Sequence, residues 1–312
     1  MMVTNSRAVR RLACLPAVML ATPVLASPGT DAIHFAPHRA VYDITLERAA
    51  SGSGVVDLSG RMVYELSGSA CEGFTQNMRF VTRMTSQDGS DQVNDLRTSS
   101  WEEGTGQRLR FSTAQYRDLK LVEQANGDAR RQPETGQIEV DVSKPAKTTL
   151  ELPAEVYFPM QHSTALVAAA RDGKRQLMAR LYDGSEKGGK VYETSAIIGG
   201  ATPFAAAGVP DGVGNRETLA KVPSWPIAIS YFEQGQENKD VVPSYELTFR
   251  IFANGVSSGL VIDYGEFAVR GELTDLTYFA ATECVPDPAG KRTAPGKASR
   301  EGSSPEAGSK SP

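Results

Sequence analysis

Alternation of apolar and polar residues with a period of two is the feature that most limits what this 312-residue chain can fold into. Ile138, Val140 and Val142 interleave with Glu139, Asp141 and Ser143. Tyr245, Leu247, Phe249 and Ile251 interleave with Glu246, Thr248 and Arg250. Similar runs pass through Val41, Ile44 and Leu46, through Val56, Leu58, Met62 and Tyr64, through Phe74, Met78, Phe80 and Met84, and through Leu273, Leu276 and Tyr278. A side-chain period of two places one set on a buried face and the other in water, so these runs predict a dozen or more half-buried antiparallel strands. Asn254-Gly255 is the sharpest hairpin signal, because both residues tolerate positive φ; Asp88-Gly89 and Asn126-Gly127 are further turn candidates. One segment breaks the pattern. Pro159 suits a first helical position, the alanines up to residue 170 favour helix, and Gly173 suits a stop, which predicts a single helix over about 159–172 with Met160, Leu166, Val167 and Ala170 on one face.

The two ends differ from this body. Arg7, Arg10 and Arg11 precede an apolar stretch from Leu12 to Leu25, and Val24-Leu25-Ala26 offers a cleavage site before Ser27. Residues 1–26 therefore read as a secretory signal peptide, too short to span a bilayer, and 27–36 as a lead-in. Cys14 precedes most of the apolar stretch, which disfavours a lipidated cysteine. Residues 287–312 are rich in Pro, Gly, Ser and Lys and predict a disordered tail. A single β domain over 37–286 remains. Removing 1–26 takes away three arginines and no acid, so the net charge of −4 becomes −7. That balance argues against nucleic acid and against tight docking on an anionic membrane. No later segment is long and apolar enough to span a bilayer as a helix.

Cleavage also removes Cys14 and leaves Cys71 and Cys284. In an oxidising compartment two cysteines read as a disulfide, the rival being two buried free thiols. Two distant cysteines and three scattered histidines lack metal-ligand spacing, so no metal or other cofactor is expected.

Catalytic signals are weak. Gly255-Val256-Ser257-Ser258-Gly259 matches a hydrolase nucleophile elbow in letters, but that motif needs a strand, a turn and a helix. Here both flanks read as strands. Any base would be His34, His38 or His162, and His38 reads more simply as a residue at the start of the first strand. His162 and Ser163 are helix neighbours that point apart, and His162 reads as a polar first-turn residue. Glu102-Glu103 and Asp183 with Glu186 read as solvated turns. No phosphate loop or dinucleotide fingerprint is present. Aromatics crowd the second half, from Phe204 through Tyr231 and Phe249 to Phe279. Most read as core, with some free to line a groove for an acyl chain, a peptide or a partner helix.

Four stretches carry a family resemblance. They are Ala36 to Tyr42, Tyr182-Asp183-Gly184-Ser185 with Lys190 to Glu193, Trp225 to Tyr231, and Tyr245-Glu246-Leu247 through Asn254-Gly255 to Asp263-Tyr264-Gly265. In order and spacing they resemble the EipB family of periplasmic cell-envelope integrity proteins, over about residues 31–286. The resemblance implies a mainly β fold, an antiparallel sheet rolled into a spiral or open barrel-like cup with one helix. It implies a disulfide that maps onto Cys71 and Cys284. It also implies a soluble periplasmic protein without enzymatic activity, and a protein partner that carries tetratricopeptide repeats. A lipid, acyl or lipoprotein ligand held in the groove of the spiral is the alternative, and a hydrolase using Ser257 the third reading.

Overall fold

Each apolar–polar run becomes a strand in the computed structural model, which describes residues 32–234 and 242–282. The expected signal peptide, the tail and Cys284 lie outside the described residues. Eight strands come first: β1 (His38–Ala49), β2 (Val55–Ser69), β3 (Gly73–Ser86), β4 (Asp91–Glu102), β5 (Arg108–Arg117), β6 (Lys120–Arg131), β7 (Ile138–Lys144) and β8 (Thr148–Leu152). The short β9 (Val156–Tyr157), helix α1 (Pro159–Arg171), β10 (Gln176–Leu181) and β11 (Tyr192–Ile198) follow. The chain then passes through α2 (Arg216–Leu219) to β12 (Ser224–Glu233), β13 (Tyr245–Phe252), β14 (Ser257–Asp263) and β15 (Phe267–Tyr278).

All fifteen strands belong to one sheet, ordered β8-β7-β6-β5-β4-β3-β2-β1-β15-β14-β13-β12-β11-β10-β9. The two edge strands are consecutive in the chain and joined only by residues 153–155. Laid flat, such a sheet would be about 67 Å wide, whereas four Cα steps reach at most about 15 Å. The sheet must therefore roll until β8 and β9 meet, and the result is the expected barrel-like cup with an unsealed seam. Pairing is antiparallel except between β9 and β10, which run parallel. Helix α1 is the crossover that a parallel pair requires, so the predominantly antiparallel sheet contains one βαβ step.

Register carries one face around the inside. His38 lies opposite Leu66 and Tyr278, Tyr42 opposite Met62 and Leu273, and Tyr64 opposite Met78. Past the seam, the inner face of β5–β8 packs on the stretch after β10: Phe111 meets Tyr182 edge-on at 5.7 Å between ring centroids. Leu109, Ile138, Val140 and Val191 belong to the same cluster. The sheet thus overlaps itself, as a spiral does. On the other side Ala207, Val209, Val213 and Leu219 of the β11–β12 connection join Tyr42, Ile44, Leu273 and Leu276.

Most element expectations hold. Helix α1 starts on Pro159, buries Met160, Leu166, Val167 and Ala170, and is followed by Gly173 at φ 71°. Asp88-Gly89 and Asn254-Gly255 form turns. At the second, positive φ occurs at Gly255 alone, and the three-residue loop closes through Gly255 N–H donating to Phe252 O and Phe252 N–H to Val256 O.

Four expectations fail for reasons of pairing. Val56 sits at a register shift between Val55 and Asp57 and is 57% exposed instead of facing inward. β1 pairs with β2 without the expected break at Asp43, so His38, Ala40, Tyr42 and Ile44 form the inner set and Val41 lies on the opposite face; the irregularity beside Val41 is a bulge in β15 at Thr274. Asn126-Gly127 is not a turn but lies inside β6, where Gly127 faces both Phe111 and Val142. Glycine is needed there for space: a Cβ would stand 2.4 Å from Phe111 Cζ and 2.9 Å from Asp141 O. Glu102 is not a solvated turn residue; it ends β4 and is buried.

Gly127→Val should accordingly cost on the order of 2–3 kcal/mol through overpacking, whereas Asn126→Ala should cost under about 0.5 kcal/mol as a surface change. Urea denaturation of both variants checks this, and equal effects would contradict the interior placement of Gly127.

Candidate functional site: an apolar cavity inside the sheet

Rolling the sheet leaves a cavity of about 310 Å³ between β1–β3, β12–β14 and α1. Its wall is built by inward residues of the alternating strands, among them Tyr42, Met62, Leu247, Phe249 and Ile262, and its floor by Met160 and Leu166 of α1. No Arg, Lys, Asp or Glu lines it. The polar atoms that do are few: His38, His162, Ser163, Ser257 and the tyrosine hydroxyls. Two hydroxyls are already engaged. Tyr42 donates to Ser257 O at 2.9 Å, and Tyr64 to Gln76 Oε1 at 3.0 Å. A mostly apolar wall with a few fixed polar groups suits an uncharged, elongated ligand.

Helix α1 is held in place from a distance. Its first amides have no intrahelical acceptors. Glu102, fifty-eight residues earlier in sequence, supplies them: Met160 N donates to Oε2 at 2.7 Å and Gln161 N to Oε1 at 2.9 Å. Gln161 Oε1 in turn accepts from Phe158 N at 3.1 Å. Burial lifts the Glu102 carboxyl to about 7, against the lowering pull of the two amides and the nearby Arg131. Arg131 ties the seam itself, donating to Ala154 O at 2.6 Å and to Val156 O at 2.5 Å.

Both cavity histidines are buried. His162 is a wall residue rather than a solvated first-turn residue. Its Nε2 lies 3.3 Å from Thr194 Oγ1, and desolvation drops its pKa to about 4. His38 shares a hydrogen bond of 2.7 Å between Nδ1 and Ala36 O, and burial lowers its pKa too. Ser257 opens strand β14 beyond a hairpin, as its flanks predicted, and no hydrogen bond joins its hydroxyl to a histidine among the described residues. Asp183 caps its own turn through Ser185 N, and Glu186 pairs with Lys190 at 2.6 Å.

Cys71 lies exposed in the β2–β3 turn, which departs from the buried-thiol alternative; Cys284 is outside the described residues. The aromatic crowding of the second half pointed to Tyr231 and Phe249. It missed the contributions of the first half: Tyr64 already belongs to an alternating run, whereas His38, Tyr42 and Leu66 are identified as inward by strand register. A second, larger hollow of about 590 Å³ runs beside the seam and, unlike the first, carries charged side chains, Arg131, Glu155, Arg180 and Glu193, alongside apolar ones.

A family model described as EipB-like matches residues 30–280. The chain is 37% identical over 255 residues to the cell envelope integrity protein EipB of Brucella abortus (strain 2308), covering 81% of this chain and 88% of that protein. It also resembles a crystal structure from Brucella abortus, a beta-barrel-like protein of a domain of unknown function, DUF1849. The TM-score is 0.72 with 36% identity, over 80% of this chain and all of that one.

The buried titratable groups oppose one another in pH. Both histidine pKa values are depressed on folding, so their contribution is present above about 6.5 and is lost as pH falls, for His162 through about 4. The Glu102 pKa is raised, so its contribution is present below about 4.5 and is lost as pH rises through about 7. Glu102→Gln should remove the second effect and leave stability climbing more steeply than in the wild type between pH 4 and 6.5, by on the order of 3 kcal/mol. Glu102→Ala, which strands two amides, should cost about 1–3 kcal/mol more than Glu102→Gln at neutral pH. Urea titrations across this pH range test both.

Proposed function

Since the chain belongs to the EipB-like family, we propose that it supports cell-envelope integrity as a periplasmic, non-enzymatic binding protein that holds one acyl chain in the cavity of its rolled sheet. The uncharged lining of that cavity is the observation that carries this reading. A volume of about 310 Å³ lies at the small end of ligand pockets, which favours a single chain over a whole lipid. His38 and His162 stay neutral at pH 7, so nothing inside neutralises a carboxylate. The polar head of the ligand therefore stays outside, as in an acylated lipid or lipoprotein.

A protein partner, for which the resemblance implies tetratricopeptide repeats, is favoured by a separate observation. β9 pairs with only Arg180 and Leu181 of β10, so Gln176 to Ala179 have no strand partner on that side among the described residues. Met178 and Ile197 stand 67% and 53% exposed on the outer face beside that edge. Open edges with apolar neighbours are sites for strand addition.

Native mass spectrometry of gently purified protein tests the first reading. It should find an acyl-bearing species, and Met62→Trp, which fills the cavity, should weaken uptake of a fluorescent acyl probe at least about tenfold with the fold intact. Absence of both bound lipid and probe uptake overturns it. Met178→Asp should abolish capture of a periplasmic partner if the edge is the contact.

The same reading includes a Cys71–Cys284 disulfide. Pairing of His38 with both Leu66 and Tyr278 puts the end of β2 and the end of β15 on one rim, and Cys71 follows the first as Cys284 follows the second. Closing so long a loop removes about 5 kcal/mol of unfolded-state entropy in the chain model. Cys71→Ser should lower the melting temperature, and mobility on gels should differ with and without reductant; two alkylatable thiols in freshly recovered periplasmic protein would refute the bond.

A further inference from the structure

The β5–β6 hairpin ends on a residue that folding does not explain. Asp118 and Leu119 occupy the two central positions of a two-residue turn, at φ 49° and 66°. Such a turn favours Asn, Asp or Gly, because a branched side chain is strained there. Leu119 is also 92% exposed. It is therefore unfavourable in conformation and in hydration at once. Leu121 and Val122 are 47% and 49% exposed just behind it. Val122 is thrown outward by a register shift, where Gln115 pairs with Glu123 and Tyr116 with Leu121.

Charge surrounds this apolar tip. Arg117 and Lys120 pair across the turn, are exposed, and have no ion-pair partner among the described residues. The one acid at the tip is turned away, since Asp118 accepts from Val93 N at 2.9 Å. Behind the tip, the outer face of β3–β6 carries more cation than acid. Arg79 and Arg97 share Asp95, and Arg108, Arg110 and Arg130 share Asp128. Arg97 lies over the ring of Tyr116, 4.8 Å from its centroid, which links this face to the hairpin. A chain with a mature net charge of −7 thus gathers cations on one face.

We propose that the β5–β6 hairpin docks on an anionic lipid surface, with Leu119, Leu121 and Val122 entering the acyl boundary and Arg117 and Lys120 at the level of the phosphates. Apolar side chains at a protruding tip with cations at the flanks match the layering of a bilayer interface. An acidic protein would satisfy the cations but leave Leu119 in water. The inference is independent of the cavity, because the hairpin would dock whether or not a ligand is held. It refines the expectation drawn from net charge: the body is acidic, but the docking face is not.

Flotation of the mature protein with vesicles of equal parts phosphatidylcholine and phosphatidylglycerol tests it, with pure phosphatidylcholine vesicles as control. The wild type should float with the anionic vesicles and much less with the neutral ones. Leu119→Asn should lower the bound fraction about tenfold while its melting temperature stays level or rises, since Asn suits the turn better. Arg117→Gln with Lys120→Gln should lower binding and flatten its dependence on salt. In Leu119→Trp the tryptophan emission should shift to the blue when anionic vesicles are added. Failure of the wild type to float, or undiminished binding by Leu119→Asn, overturns the proposal. Binding to polyglutamate without binding to vesicles overturns it in favour of an acidic protein.

Discussion

Residues 153–155 impose the shape on which everything else depends. They join the two edges of a fifteen-stranded sheet, so the sheet has no flat solution. A rolled sheet must then use its inner face as a core, and the strand alternation supplies one continuous apolar set for it. Closure is covalent rather than hydrogen-bonded at this point, which explains why the seam needs other ties. Arg131 provides one by donating to carbonyl oxygens on the link and on β9, and the Phe111–Tyr182 contact provides another. The parallel β9–β10 pair follows from the same constraint. The link delivers the chain to the far edge as β9, and because the next strand, β10, runs parallel to β9, the chain must return along α1 before pairing.

Helix α1 in turn defines the cavity. It is the only long helix among the described residues, and it enters the inside of the roll with its amide end against β4. Glu102 meets those amides with a carboxylate that lies within the protein. The cost of burying the charge shows in a pKa lifted to about 7, and the gain is that two otherwise orphaned donors are satisfied. Without that contact the amide end of the helix would be tied to the sheet only through side chains, by Arg131 to Gln161 and by His162 to Thr194. Position and chemistry are therefore coupled: the residue that places the helix is itself sensitive to pH, as are the histidines on the wall.

The regular part of this arrangement was legible in the amino-acid sequence because it is local. Ile138-Val140-Val142 and Tyr245 to Ile251 alternate within a single strand, and Pro159 and Gly173 bracket a helix that fits within thirteen residues. What was not legible depends on partners far away in sequence. Val56 and Val122 point outward because of register shifts against β3 and β5, and nothing within their own strands announces a bulge. Gly127 resembles a turn glycine in its dipeptide, but its purpose is to leave room for Phe111 across the ladder. Glu102 sits in an acidic pair that normally means solvent, and only the fold brings it beneath the helix. The cavity was half visible: alternation says which residues face inward, but not whether the facing side chains meet.

Whether they meet is decided by side-chain size around the roll. On the seam side, Phe111 and Tyr182 meet edge-on at 5.7 Å between ring centroids. On the opposite side, unbranched Met62 and Met78 face Leu247, Phe249 and Ile262 with α1 below, and the space stays open. Methionine is unbranched and adaptable, so such a wall can repack without straining its rotamers. Ser257 is part of this wall: its backbone carbonyl accepts from Tyr42, and it opens a strand instead of preceding the helix of a nucleophile elbow. The apolar space thus lies where methionines and aliphatic side chains face one another over α1, with the imidazoles of His38 and His162 in its wall.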